Sequence, residues 1–145
     1  MTLLKTMDLT AAGMSAQRTR MNVAAMNLAN KSTTRGPDGQ PYRRRDVVLE
    51  ATPQLDFGKA FASALGPEAA MGVRVQDVVE SNDAPMLVYD PGHPDADAAG
   101  YVAMPNVNPI AEMVNLMGAA RAYEAGTSVL QTVRQMAEQA LRIGR

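Results

Sequence analysis

Any chemistry in this chain would start at His93, its single histidine, which stands among Asp90, Asp95 and Asp97 in the run YDPGHPDADAAGY. An imidazole among carboxylates can hold a divalent cation or act as a general base, the equipment of a metal-dependent hydrolase. The same residues also read as a polar turn, in which Pro91-Gly92 reverses the chain and the Asp side chains accept backbone N–H bonds. Metal ligands need rigid elements and a second shell to fix them, and no second histidine is available, so the turn is the expected reading. Arg43, Arg44 and Arg45 form the only basic run. Three consecutive residues cannot share one strand face, so a solvated rim is expected rather than an anion site. The sequence has no phosphate loop, no GxSxG elbow and no HExxH pair. It has no cysteine, which removes disulfides, thiol nucleophiles and zinc–thiolate sites. We therefore expect no enzyme: no catalytic residue, cofactor, metal or small-molecule substrate.

The elements around this turn carry more information. Near the N-terminus Met7, Met14, Met21 and Leu28 recur every seven residues, and Leu4, Ala11 and Ala25 fill most positions three residues earlier, with Arg18 interrupting. Near the C-terminus a second stripe runs through Met113, Leu116, Ala120, Tyr123, Thr127, Leu130, Val133, Ala137 and Leu141. Such spacings put each set on one helix face, and a sustained seven-residue period favours a paired helical seam. The first helix is predicted over about 3–29, closed by Asn30 and the polar loop that follows. The second is predicted to begin with Asn108 as cap and Pro109 at its first position, and to run to Ile143 with Gly144 at its end. Gly118 and Gly126 within it share a face and suggest a close approach there. Between the helices, Val47–Leu49, Met71–Glu80, Leu87–Tyr89 and Gly100–Met104 read as strands, and 53–70 as loop or short helix. The fold class is α+β: residues 1–31 an N-terminal helical segment, 32–105 a small β-rich domain, and 106–145 a C-terminal helical segment.

At 145 residues the chain is one domain's worth. Five of the six aromatics (all but Tyr123) lie between the helices, which places the expected compact core centrally. The net charge of −1 argues against nucleic-acid binding, which rests on clustered Lys and Arg. It is unevenly spread: +3 over 1–31, −5 over 32–105 and +1 over 106–145. The opening residues lack the pattern of a secretory signal, and no run is long enough to span a bilayer.

The segment AAMNLANKSTTRGPDGQPYRRRDVV resembles the N-terminal signature of bacterial flagellar rod and hook proteins, whose first helix ends in A-x-N-L-A-N. Here that motif is Ala25, Asn27, Leu28, Ala29 and Asn30, with Lys31 after it where relatives often carry a small residue. The later run is similar to the proximal-rod members of that family: Pro91, Gly92, His93 and Pro94, then Gly100, Tyr101, Val102, Pro105, Asn106 and Val107, then Glu112-Met113-Val114. That run argues against a sister rod subunit. The matches cover about the first fifty and last sixty residues, and 51–71 departs from the pattern.

The resemblance implies terminal helices that pair as a coiled-coil-like layer lining an axial tube, with a β-rich domain outside it. It implies export through the flagellar type III apparatus without signal cleavage, and helical polymerisation into the proximal rod of the basal body in the periplasmic space. Partners would be further copies of the chain, other rod proteins, the membrane ring and the export apparatus. The expected interface residues are Leu4, Met7, Met14, Met21 and Leu28 with Met113, Leu116, Ala120, Leu130 and Val133. Asn27 and Asn30 would shape the turn leaving the first helix.

Overall fold

The structure, a computed structural model, describes residues 3–53 and 71–143. In chain order it holds α1 (Leu3–Ala29), β1 (Arg45–Pro53), β2 (Met71–Glu80), β3 (Met86–Tyr89), β4 (Tyr101–Met104) and α2 (Pro109–Ile143). Two long terminal helices therefore flank a small antiparallel β region, an α+β arrangement. The reading of 53–70 as loop or short helix falls almost wholly outside the described residues, as does Gly144.

The start of α2 and the end of α1 fall where local chemistry dictates. The Asn108 side-chain oxygen accepts the N–H groups of Ile110 (3.0 Å) and Ala111 (3.3 Å), which satisfies donors that the first turn leaves orphaned. At the other end of the connection, the Asn30 amide donates back to the Met26 carbonyl at 2.9 Å and closes the last turn of α1.

β1 is longer than the predicted Val47–Leu49 because β2 partners it throughout, from Arg45↔Glu80 to Pro53↔Met71. A register shift between Val48 and Leu49 bulges the ladder. Cross-strand ion pairs sit at two of its rungs, Arg45–Glu80 at 2.8 Å and Arg74–Glu50 at 2.7 Å. β3 and β4 form a separate two-stranded ribbon, with Tyr89 opposite Tyr101 and their rings edge to face.

Among the described residues, which do not include Phe57 and Phe61, burial concentrates elsewhere than expected. Among these residues the buried large or aliphatic side chains are Ala16, Val23 and Ala24 of α1, Ala119 and Val133 of α2, Val102 of β4, and Val107 just before α2. Tyr89 and Tyr101 remain 65% and 43% exposed. A two-stranded ribbon has no second layer over one of its faces, so its aromatics stay wet, and burial falls to the helix seam instead. On α2 that seam keeps a seven-residue period: Glu112, Ala119, Gly126 and Val133 alternate with Leu116, Tyr123, Leu130 and Ala137 as its buried and half-buried positions. The helices run antiparallel, since Asn27 meets Glu112 while Met14 meets Gly126.

Candidate functional site

Three segments converge on Asn27, which is 1% exposed near the end of α1. Its amide nitrogen donates to the Arg45 carbonyl (2.8 Å) and to Glu112 Oε2 (3.1 Å). Its oxygen accepts the Tyr42 hydroxyl (2.8 Å) and the Arg45 N–H (2.9 Å). All four hydrogen-bonding positions of the amide are filled, so one side chain ties α1 to the start of β1 and to the first turn of α2.

Glu112 is 2% exposed, and a carboxylate that deep in the fold is costly unless it is paired and hydrogen-bonded. Arg44 supplies the charge, donating from Nε to Glu112 Oε1 at 2.7 Å. The rest of that guanidinium grips both oxygens of Asp46, with Nη2 donating to Oδ1 at 2.9 Å. Burial works against the Arg44 charge, yet its hydrogen bonds to Glu112 and Asp46 outweigh it and hold the group still more firmly protonated. Desolvation pushes the Tyr42 phenol upward, and Glu80 and Glu112 add to it while Arg45 opposes. The neutral phenol is the form that can donate to Asn27.

The arginine run is thus more than a solvated rim. Where the chain enters β1 its members go different ways. Arg44 goes inward to Glu112, Arg45 goes to Glu80 and over the Tyr42 ring, and Arg43 reaches Gln40. Sequence reasoning missed Glu112 as a buried partner. The available signal was its place one turn after the Asn108 cap, on the inward stripe.

The carboxylates around His93 are engaged in the turn itself. Asp90 accepts the Gly92 N–H, Asp97 accepts those of Ala99 and Tyr101, and His93 Nδ1 accepts that of Asp95. The Asp95 carboxylate takes the Thr34 hydroxyl at 2.7 Å and the Arg35 guanidinium at 3.0 Å, which docks this turn on the loop leaving α1. Among the described residues no three His, Asp or Glu side chains could share a metal ion. Gly100 needs its lack of a side chain: its φ is +83°, and a Cβ would stand 2.9 Å from the Tyr89 ring. Of the other motif residues, Val102, Pro105 and Val107 are buried, while Pro91, Gly92, Pro94, Tyr101 and Asn106 are exposed. No helix among the described residues is long and apolar enough to cross a membrane.

The stripe residues divide. On α1, Met14, Met21 and Leu28 flank the seam half-buried, whereas Leu4, Met7, Ala11 and Ala25 face outward. On α2, Val133 is buried, Leu116, Ala120 and Leu130 are half-buried, and Met113 is 50% exposed. The two glycines divide as well. A Cβ on Gly126 would lie 2.5 Å from Met14 Cγ, while one on Gly118 would meet no neighbouring side chain or element within 4 Å. The close approach is therefore a side chain seated on one glycine, not a backbone along both.

The family described as flagella basal body rod protein matches residues 7–37, and the C-terminal family described as flagellar basal body rod FlgEFG protein matches residues 98–143. Over 144 residues the chain is 46% identical to the flagellar basal-body rod protein FlgC of Escherichia coli O6:H1, covering 99% of both proteins. The chain belongs to the FlgC family of flagellar basal-body rod proteins. Its FlgC relative in Salmonella typhimurium is equally similar, at 46% identity with 99% of each chain covered. The FlgC of Bacillus subtilis is 39% identical, with both chains covered in full. The two family matches take in Asn27 in the first and Glu112 in the second, so the buried node joins the two matched segments.

Proposed function

We propose that this chain is a structural subunit of the proximal rod in the flagellar basal body, a mechanical element that transmits torque and bounds an export channel without catalysis of its own. The observation that carries this reading is that α2 has a second apolar face over 110–117, opposite the one that packs on α1. One face packs on α1. The other presents Ile110, Val114 and Met117, which are 74%, 64% and 55% exposed, with Met113 beside them. An exposed apolar patch of this kind marks an interaction site, and here what covers it is the assembly.

Residues 1–31 and 106–145 would form the axial layer, with 32–105 as the β-rich domain beside it. Leu4 and Met7 on α1 would meet neighbours as the outer face of α2 does. Contacts between unlike patches propagate as an open helix rather than closing into a ring. In this reading the neighbours are further copies, other rod proteins, the membrane ring and the type III export apparatus, and the site of work is the periplasmic rod, reached without a cleaved signal.

Met117→Asp tests the interface directly. The side chain is exposed, so the variant should keep wild-type helicity and urea midpoint yet fail to enter basal bodies and fail to restore motility. Normal incorporation of the folded variant would remove the outer face of α2 from the interface.

A further inference from the structure

The buried centre of the helix seam is built from side chains too small to fix its own alignment, with Leu116, Tyr123 and Leu130 half-buried at its edge. Ala16, Val23, Ala24, Ala119 and Val133 fill that centre, and where a seam repeats every seven residues a slide of one repeat again sets small against small and large against large. Two contacts break that equivalence. Asn27 donates to Glu112 at 3.1 Å, inside a node where its other three positions are also bonded. Met14 sits over Gly126 so closely that a Cβ there would fall 2.5 Å from its Cγ and 3.1 Å from its sulfur. We propose that these two contacts are register pins, set close to two heptads apart, that select one alignment of the α1–α2 hairpin and so determine which outward residues stand level.

The competing alignment can be named. Sliding α1 by one heptad brings Arg20 to the level of Asn27, and Arg20 already lines the same cleft as Glu112 and Asn115. Glu112 would there gain a second guanidinium, so charge alone does not oppose the slip. What opposes it is the loss of the Asn27 bonds and the seating of Met14 against Ala119, whose methyl stands where Gly126 has none. A buried amide that specifies alignment is the best-attested use of a polar group in a helical seam. The inference concerns pairing within one chain and goes beyond the rod reading, although the level it sets decides how Leu4 and Met7 align with the outer face of α2.

The chain has no cysteine, so two introduced cysteines can carry spin labels without further changes. Ser15→Cys and Ala125→Cys are exposed positions that the two pins place level across the hairpin. In the otherwise wild-type purified chain, double electron–electron resonance should give one narrow distance. Asn27→Asp sets a carboxylate against Glu112, and Gly126→Ala blocks Met14. Together they should add a second population whose labels are offset by about 10 Å along the axis, one heptad of helix rise. Gly118→Ala, with open space around it, should leave the single distance unchanged. Met14→Ala added to Gly126→Ala should restore it.

Persistence of one unchanged distance in the Asn27→Asp and Gly126→Ala double variant would overturn the proposal. So would a broad distribution in the wild-type background, because the pins would then not suffice within a chain. If Asn27→Asp abolishes helicity, Gly126→Ala and its Met14→Ala partner decide the matter alone: a broadened or shifted distance that the second change narrows supports the pin at Gly126, and no change in either refutes it.

Discussion

Asn27→Ala strikes the residue on which α1, the start of β1 and α2 converge. It removes four hydrogen bonds, and leaves behind the Arg45 N–H and carbonyl, the Tyr42 hydroxyl and one oxygen of Glu112. An unsatisfied buried polar group costs about 1–3 kcal/mol, which would give roughly 4–12 kcal/mol if all four stayed dry. They would not. Tyr42 and Arg45 are half-buried and can recruit water, and Glu112 keeps Arg44. We expect a loss of ~3 kcal/mol, a large share of the ~5–15 kcal/mol that holds a domain folded. For a chain of this size that corresponds to a fall in Tm of roughly 6–12 °C. Urea unfolding followed by far-UV circular dichroism reads it as a lower midpoint at unchanged slope. Asn30→Ala, whose bond to Met26 is exposed, is the control and should cost only about 0.5–1 kcal/mol. A change below ~1 kcal/mol for Asn27→Ala, or equal losses at the two asparagines, would refute the idea that the node holds the helices to β1.

Glu112→Ala leaves Arg44 without its inward partner and should cost ~3–4 kcal/mol in the same assay, whereas Glu112→Gln, which still accepts from Arg44, should cost about half as much. Gly100→Ala forces a side chain into a left-handed backbone and against the Tyr89 ring, and should lower stability by roughly 1–3 kcal/mol, measured by thermal unfolding. His93→Ala removes only an acceptor for the Asp95 N–H, so stability should fall by about 1 kcal/mol or less and swarming should stay normal. Loss of swarming in a folded His93→Ala variant would reopen chemistry at that turn.

Much of the architecture was legible because it is written locally. The Asn108-Pro109 start of α2, the seven-residue stripes and the alternation of 71–80 each depend on neighbours a few residues away. The node was not legible in that way. Asn27 and Glu112 are 85 positions apart, and nothing in the spacing of either announces the other. The buried face of α1 was hidden for a related reason: the large side chains mark out Leu4 and Met7, while close helix packing within the chain buries Ala16, Val23 and Ala24. The two-stranded ribbons explain the displaced core, since aromatic content signals burial only where a second layer exists to cover it. At the DPGHPDAD turn, the residues that could have bound a metal bond instead to backbone N–H groups, Thr34 and Arg35.

The most direct test of the rod assignment is to delete the gene, complement it with the wild-type chain, and image isolated envelope preparations by electron microscopy. The account predicts membrane rings that persist without rod or hook in the deletion strain, and both structures restored on complementation. Complete flagella in the deletion strain would contradict it.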